Sequence, residues 1–192
     1  MKDTIRYTGL PFKNHREHWQ AVKGTLMASS NAPIDHYFDF GQSNQQQVAV
    51  SVSEVSEKPV AQFTSQVAMI GILLQLISDG KPTVIAVPAL YDQNAQRPAN
   101  EFLPVVLPVF KGEEQLRDYI NRVKEVLKAT YQYQDYPLQL ADIQVTQTCK
   151  LLAYSKEVHH QTIADELFAI SAICDKKEIG FHDYRITGTD DT

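Results

Sequence analysis

The stretch Glu101–Leu138, EFLPVVLPVFKGEEQLRDYINRVKEVLKATYQYQDYPL, restricts the fold more than any other part of the chain. It begins with Phe102–Phe110, an apolar run rich in β-branched residues and interrupted by Pro104 and Pro108. Proline cannot donate to a sheet ladder, so the run predicts a buried strand with an edge or bulge at its prolines. Lys111-Gly112 predicts a turn. Glu113 and Glu114 then suit a helix N-terminus, where backbone N–H groups attract negative charge. Leu116, Tyr119, Ile120, Val123, Val126, Leu127 and Thr130 recur at helical spacing, and Pro137 closes the segment.

The flanking sequence supplies partners for that unit. From His15 to about Met27, Trp19, Val22 and Leu26 share a helical face, with the single tryptophan as its core anchor. Phe38, Phe40 and Val48–Val52 alternate as strands do around a Gly41–Asn44 turn. After Pro59, Phe63, Val67, Ile70, Leu74 and Ile77 mark a helix; Ala61, Ala68, Ile72, Leu73 and Leu76 widen its stripe enough to imply burial on more than one side. Asp79-Gly80 is its C-cap signal. Thr83–Leu90 reads as an apolar strand and Tyr91–Asn100 as a loop. Lys150–Val158 and Leu167–Cys174 read as strands, and Asp175–Glu178 as a hairpin turn into Ile179–Ile186. The fold class is α/β, a mixed sheet packed by long helices. Residues 1–14 form a lead-in, 15–188 the folded lobe, and 189–192 a frayed tail or linker.

With 192 residues, 43% hydrophobic and 21% charged, the chain suffices for one globular domain. A net charge of -5 with scattered basic residues excludes nucleic acid as the natural ligand. No run approaches the ~20 apolar residues of a bilayer span, and the N-terminus lacks the apolar core of a secretory signal. The expected compartment is therefore the cytoplasm, with no membrane partner and with Cys149 and Cys174 as reduced core thiols.

His159-His160, followed by Asp165, is the chain's foremost candidate for chemistry. Histidine titrates near neutrality and removes protons from thiols, hydroxyls or amines, and a nearby carboxylate fixes its tautomer. Against that, adjacent histidines before an acidic residue also arise on a solvated helix start. His15 and His18, three apart on one helix face, offer half a metal site with no third or fourth ligand suggested, and read as surface histidines. The chain has no glycine-rich phosphate loop, Gly-x-Ser-x-Gly elbow or Cys-x-x-Cys. No catalytic, cofactor-binding or metal residue, and no cofactor, is assigned.

In order along residues 15–188, the chain resembles the C-terminal lobe of a nonribosomal peptide synthetase condensation domain, of the chloramphenicol acetyltransferase-like superfamily. His18-Trp19 with Leu26 resembles the Tyr-Trp helix opening that lobe, and Phe63–Ile77 the long helix before its sheet. Thr83–Ala89 resembles the strand written Ile-Gly-Thr-Pro-Val; Leu107-Pro108 is the retained part of Asn-Thr-Leu-Pro. Gln134-Asp135-Tyr136-Pro137-Leu138 resembles the His-Gln-Asp-x-Pro-Phe ending of the next helix and is the most specific match. There are departures. His159-His160 to Asp165 is one residue longer than the superfamily's His-His-x-x-x-Asp-Gly, with Glu166 in place of the glycine. Asp92 stands where an arginine is expected, and Val105 where an asparagine is.

What the resemblance implies is a lobe without its N-terminal catalytic partner. A condensation site is a tunnel between two lobes reached by carrier-protein arms, so a single lobe implies a non-catalytic structural or docking module of secondary-metabolite peptide synthesis. Its expected partners are an adenylation or carrier domain, with a homodimer as a further form. The alternative is a single-lobe acyltransferase using the late His159-His160 motif at a subunit interface. A third expectation is a fragment of a longer synthetase, ending in a linker at Gly188–Thr192.

Overall fold

The structure, a computed structural model, describes residues 12–28, 47–53, 56–78, 82–90 and 99–184. Its long helices are α1 (Lys13–Ala28), α2 (Pro59–Ile77) and α3 (Leu116–Gln132). Its strands are β1 (Gln47–Ser51), β2 (Thr83–Pro88), β3 (Phe102–Leu107), β4 (Leu151–Tyr154), β5 (Ile170–Cys174) and β6 (Glu178–Asp183). Two one-turn helices, α4 (Val145–Thr148) and α5 (Lys156–His159), flank β4.

The six strands form one mixed sheet in the order β1-β6-β5-β4-β2-β3. The β2–β4 and β4–β5 pairs are parallel and the others antiparallel. Pro104 lies in β3, an edge strand, where its missing N–H costs no ladder bond. The Asp175–Glu178 turn links β5 to β6, closed by the Asp175 N–H donating to the Glu178 carbonyl at 2.9 Å.

Strand alternation sorts the side chains onto two faces. Thr83, Ile85, Val87, Leu103, Val105, Leu107, Leu151, Ala153, Ile170 and Ala172 share one face and are fully buried. Here α2 and α3 pack: α2 passes so close to α3 that a Cβ on Gly71 would stand 2.5 Å from the Tyr119 hydroxyl and 3.1 Å from Leu107 Cδ1. The opposite face is covered over β4 and β5, where Leu152 and Ser171 are fully buried and Asp165 binds Tyr154 and Ser171, and also toward β3. There α1 and the segment Leu138–Thr148 lie against it, and Phe102 meets Phe168 edge-on at 4.9 Å. Toward β1 the same face opens, with Gln47, Ala49, Ser51 and Glu178 exposed and Gly180, His182 and Ile173 half-buried.

Helix α2 carries no charged residue. By length and composition it could cross a membrane, contrary to the sequence expectation that no run comes close, but 61% of that window is buried inside the protein. Three of its glutamines bind backbone left open by turns. Gln62 Nε2 donates to the Lys176 carbonyl at 3.0 Å. Gln66 Nε2 donates to the Asp175 and Glu178 carbonyls. Gln75 donates to the Pro108 carbonyl at 2.8 Å and accepts the Phe110 N–H at 2.6 Å. Burial of α2 is narrower than its composition suggests: Phe63, Val67, Ala68, Ile70 and Leu74 are buried, whereas Leu73 and Leu76 are exposed and Ile72 half-exposed.

Three further expectations need correction. Glu113 and Glu114 precede α3 rather than forming its first turn; Glu114 instead accepts the Lys111 N–H and pairs with Arg122. The strand expected over Lys150–Val158 ends at Tyr154, because Ser155 starts the turn of α5. The strand expected from Leu167 starts at Ile170, after a 3-10 turn over Asp165–Leu167. Phe38, Phe40, the Gly41–Asn44 turn, Asp79-Gly80, residues 91–98 and the tail lie outside the described residues.

Alanine in place of glycine inside a helix ordinarily gains about 1 kcal/mol. At position 71 the added methyl overlaps Tyr119, and overpacking costs about 1–3 kcal/mol. Gly71→Ala is therefore expected to lower stability in urea unfolding. Adding Tyr119→Phe, which removes the clashing hydroxyl, restores most of the loss. A stabilised Gly71→Ala single variant would contradict this packing.

Candidate functional site

The histidine pair sits at the end of α5, immediately after the central strand β4. His159 is buried, with 1% of its surface exposed. Its Nδ1 folds back on Ser155, lying 3.1 Å from the backbone N–H and 3.0 Å from the carbonyl. Its Nε2 lies 3.1 Å from the Tyr131 hydroxyl on α3, and its ring meets Phe63 of α2 edge-on at 5.1 Å. Either neutral tautomer satisfies both nitrogens. Burial pushes its pKa down to about 4, partly opposed by the Ser155 hydrogen bond. His160 is exposed and takes a left-handed φ of 40°, which ends the turn.

Asp165 is not the carboxylate that orients this histidine. Its Oδ2 accepts from the Tyr154 hydroxyl at 2.9 Å and the Ser171 hydroxyl at 3.3 Å, and Tyr184 joins the same group. Burial and then the Asp165 contact push both phenols above the ordinary tyrosine value. The superfamily motif needs its glycine for a tight turn; here Glu166 occupies an exposed 3-10 turn instead. The sequence pairing of His159-His160 with Asp165 is thus divided between two hydrogen-bonded groups.

His15 and His18 are half-buried members of an aromatic cluster, which corrects their reading as surface residues. His15 packs against Phe12 and edge-on against Tyr133; His18 tilts over Tyr133 at 4.4 Å and meets Trp19 at 4.9 Å. Trp19, fully buried, donates its indole N–H to the Tyr133 carbonyl at 2.9 Å. Burial, aided by His15, holds the His18 pKa below its ordinary value. Among the described residues no three His, Cys, Asp or Glu side chains gather around a metal-sized space. Cys149 and Cys174 are free and buried, and burial raises both thiol pKa values, which makes them inert.

The segment Gln134–Leu138 is fixed by a residue that sequence reasoning left in a loop. Asn100 donates to the Gln134 carbonyl at 2.7 Å and the Tyr136 carbonyl at 2.8 Å, and accepts the Leu138 N–H at 2.9 Å. The Gln134 side chain accepts the Leu90 N–H at 2.8 Å, and Gln161 donates to the Ala89 carbonyl at 3.2 Å. The two ends of the 90s loop are thereby tied to the end of α3. An asparagine directly before a strand was the only signal available. Beside it an open groove of about 340 Å³ is lined by Asn100, Glu101, Phe102, Gln139, Gln144 and Thr146 among others.

No protein-family model matches the sequence, and no curated protein sequence matches it. Solved structures do match its fold. A double mutant of the starter condensation domain of rhizomide synthetase RzmA, in complex with C8-CoA, superposes with a TM-score of 0.58 at 11% identity, over 96% of this chain and 49% of that one. The first condensation domain of the CDA synthetase gives 0.57 at 8% identity, over 96% and 48%. The first condensation domain of the calcium-dependent antibiotic synthetase, in complex with a substrate analogue, gives 0.58 at 10%, over 95% and 49%. The chain spans about half the length of these domains and has the condensation-domain half-fold that its sequence resembles.

His159 has a definite pH signature. Its folded pKa lies below the unfolded value of 6.5, so the unfolded state binds the proton first and stability falls as pH drops from about 6.5 to about 4. At ~1.4 kcal/mol per pH unit, the full loss is about 3 kcal/mol. Urea unfolding of the wild type against His159→Asn should show a shallower acid slope in the variant; equal slopes would remove the buried neutral histidine. Separately, Asn100→Ala breaks three hydrogen bonds worth about 1 kcal/mol each and is expected to cost about 2–3 kcal/mol in the same assay. An unchanged midpoint would show that the loop is held elsewhere.

Proposed function

We propose that the chain is a non-catalytic condensation-type module of nonribosomal peptide synthesis, working in the cytoplasm by docking an adenylation or carrier domain. The observation that carries this reading is the state of His159. A general base must reach the proton it removes and hold a pKa near the working pH. His159 reaches only Tyr131, Ser155 and Phe63, and its pKa lies near 4. Asp165, the carboxylate that would orient a relay, serves Tyr154 and Ser171.

The docking surface in this reading is the open part of the sheet, around Gln47, Ala49, Ser51, Glu178, Gly180 and His182. Support comes from its placement: the covered part of that face carries the chain's own α1, Leu138–Thr148 and Asp165 turn, while the solved condensation domains of this fold are twice as long. A flat face of small and polar side chains suits a protein surface better than an enclosed small ligand.

The test combines binding and catalysis. Adenylation and carrier domains of peptide synthetases from the same organism are titrated against the chain by calorimetry. One of them is expected to bind, and Gln47→Arg with Glu178→Arg to weaken it about tenfold or more, the equivalent of ~1.4 kcal/mol. Acyl transfer from a coenzyme A or carrier thioester is measured with wild type and His160→Ala, both expected at the background rate. No affinity for any such domain, or transfer above background that His160→Ala abolishes, would overturn the reading.

A further inference from the structure

The two edges of the sheet are treated differently. At β3 the edge is closed: Pro104 interrupts the donors, and α1 and α3 flank the strand around a groove lined by His18, Val22, Pro104, Val106, Val126 and Thr130. Among the described residues nothing comparable stands at β1. Its one strand neighbour is β6, and among the described residues its outer side has no partner. Proteins ordinarily guard such edges with lysine, proline or inward charges, because unpaired N–H and C=O groups template another strand. The described residues of this edge, Gln47–Ser53, carry no charge and no proline.

The edge is also self-complementary. Gln47-Val48-Ala49-Val50-Ser51 reads nearly the same in both directions about Ala49. An antiparallel pair centred there places Val48 opposite Val50, Ala49 opposite itself, and Gln47 opposite Ser51. Val48 and Val50 stand on the face that carries Ile179 and Phe181, the buried face of the sheet. Val50 is nonetheless 47% exposed, because the core ends at this strand. A second β1 in this register would lay its Val48 against Val50 and carry the apolar layer across. In a chain of net charge -5, an uncharged edge is also where a second copy approaches without like-charge contact.

We infer that β1 is a homodimer interface, pairing antiparallel with β1 of a second copy about a two-fold axis at Ala49 so that the sheet continues through both. The partner is a second copy rather than a foreign strand, because side chains match across this axis without any other sequence being required. The docking reading does not depend on it: β1 belongs to both surfaces, but docking uses the side chains on its open face and on β6, and pairing uses its outward backbone groups.

Sedimentation of the full chain over the micromolar to millimolar range is expected to show a monomer–dimer equilibrium. Ala49 is exposed, so substitution there spares the fold, which the melting curve checks. Ala49→Lys sets two like charges about 5 Å apart across the axis and should raise the dimer dissociation constant about tenfold or more. Ala49→Cys brings the new thiols directly opposite and should cross-link under mild oxidation. Ser51→Cys leaves its two copies four residues out of step, roughly 13 Å apart and beyond disulfide reach, and should not. Buried Cys149 and Cys174 give no background. A monomer at every concentration, a dimer indifferent to Ala49→Lys, or Ser51→Cys cross-linking as fast as Ala49→Cys would each overturn the inference. So would amide-exchange protection of Ala49 and Ser51, whose N–H groups alternate with those that Val48, Val50 and Val52 turn toward β6, that does not change with concentration.

Discussion

The structure depends on how a buried helix without charge deals with the backbone around it. α2 packs on the sheet beside α3, where apolar side chains alone would fill space but leave the carbonyls of Asp175, Lys176 and Pro108 without the donors that the glutamines supply. Each unsatisfied buried carbonyl costs about 1–3 kcal/mol. A lysine or glutamate there would cost more through desolvation. Glutamine resolves the conflict with a neutral head carrying two donors and an acceptor, and Gln75 uses both kinds at once, on Pro108 and Phe110. The serine and threonine hydroxyls of the same helix turn inward onto its own carbonyls, Thr64 onto Val60 and Ser65 onto Ala61. The helix therefore fastens the β5–β6 turn and the exit of β3 while packing like a hydrophobic rod.

That arrangement makes the sheet one-sided. With α2 and α3 spent on one face, the described residues that cover the other are α1 and the Leu138–Thr148 segment at β3 and the Asp165 turn at β4 and β5. Trp19 is the fixed point of this second layer: its indole N–H binds the Tyr133 carbonyl at the C-terminal end of α3, joining the layers around the β3 edge. Among the described residues, one edge and the face over β3, β4 and β5 are closed by the chain itself, whereas the opposite edge and the same face at β1 are not. Both interaction surfaces proposed here follow from that single asymmetry.

Much of the fold was legible because periodicity and proline placement are local signals. Pro104 in an apolar run announced a strand with an edge or a bulge, of which the sheet shows the edge; the spacing from Leu116 to Thr130 announced α3, and Asp175–Glu178 announced the β5–β6 turn. What failed required knowledge of neighbours. Leu76 belongs to the apolar pattern of α2 yet is exposed, because α3 packs on another side of that helix. His15 and His18 are ordinary surface candidates in sequence, and it is Tyr133, more than a hundred residues on, that packs against both and joins them to Phe12 and Trp19 in one cluster. Asn100 closes three bonds to a segment over thirty residues away, which no local pattern encodes.

The histidine pair shows why a motif is a statement about geometry. In the sequence, His159, His160 and Asp165 hold the residue types of a proton relay at nearly its spacing. One extra residue and a missing glycine change what the backbone does: Ser155 begins a single helical turn, His159 folds back onto it, and His160 ends the turn in a left-handed conformation. Asp165 is then carried to the far side of that turn, where two hydroxyls from β4 and β5 claim it. Once the imidazole is enclosed by Tyr131 and Phe63, burial lowers its basicity. Restoring a base there would demand opening the α2–α3 core as well as shortening the loop. The residue types of a relay are present, but His159 is enclosed by the core, His160 is exposed, and Asp165 is bound by other hydroxyls.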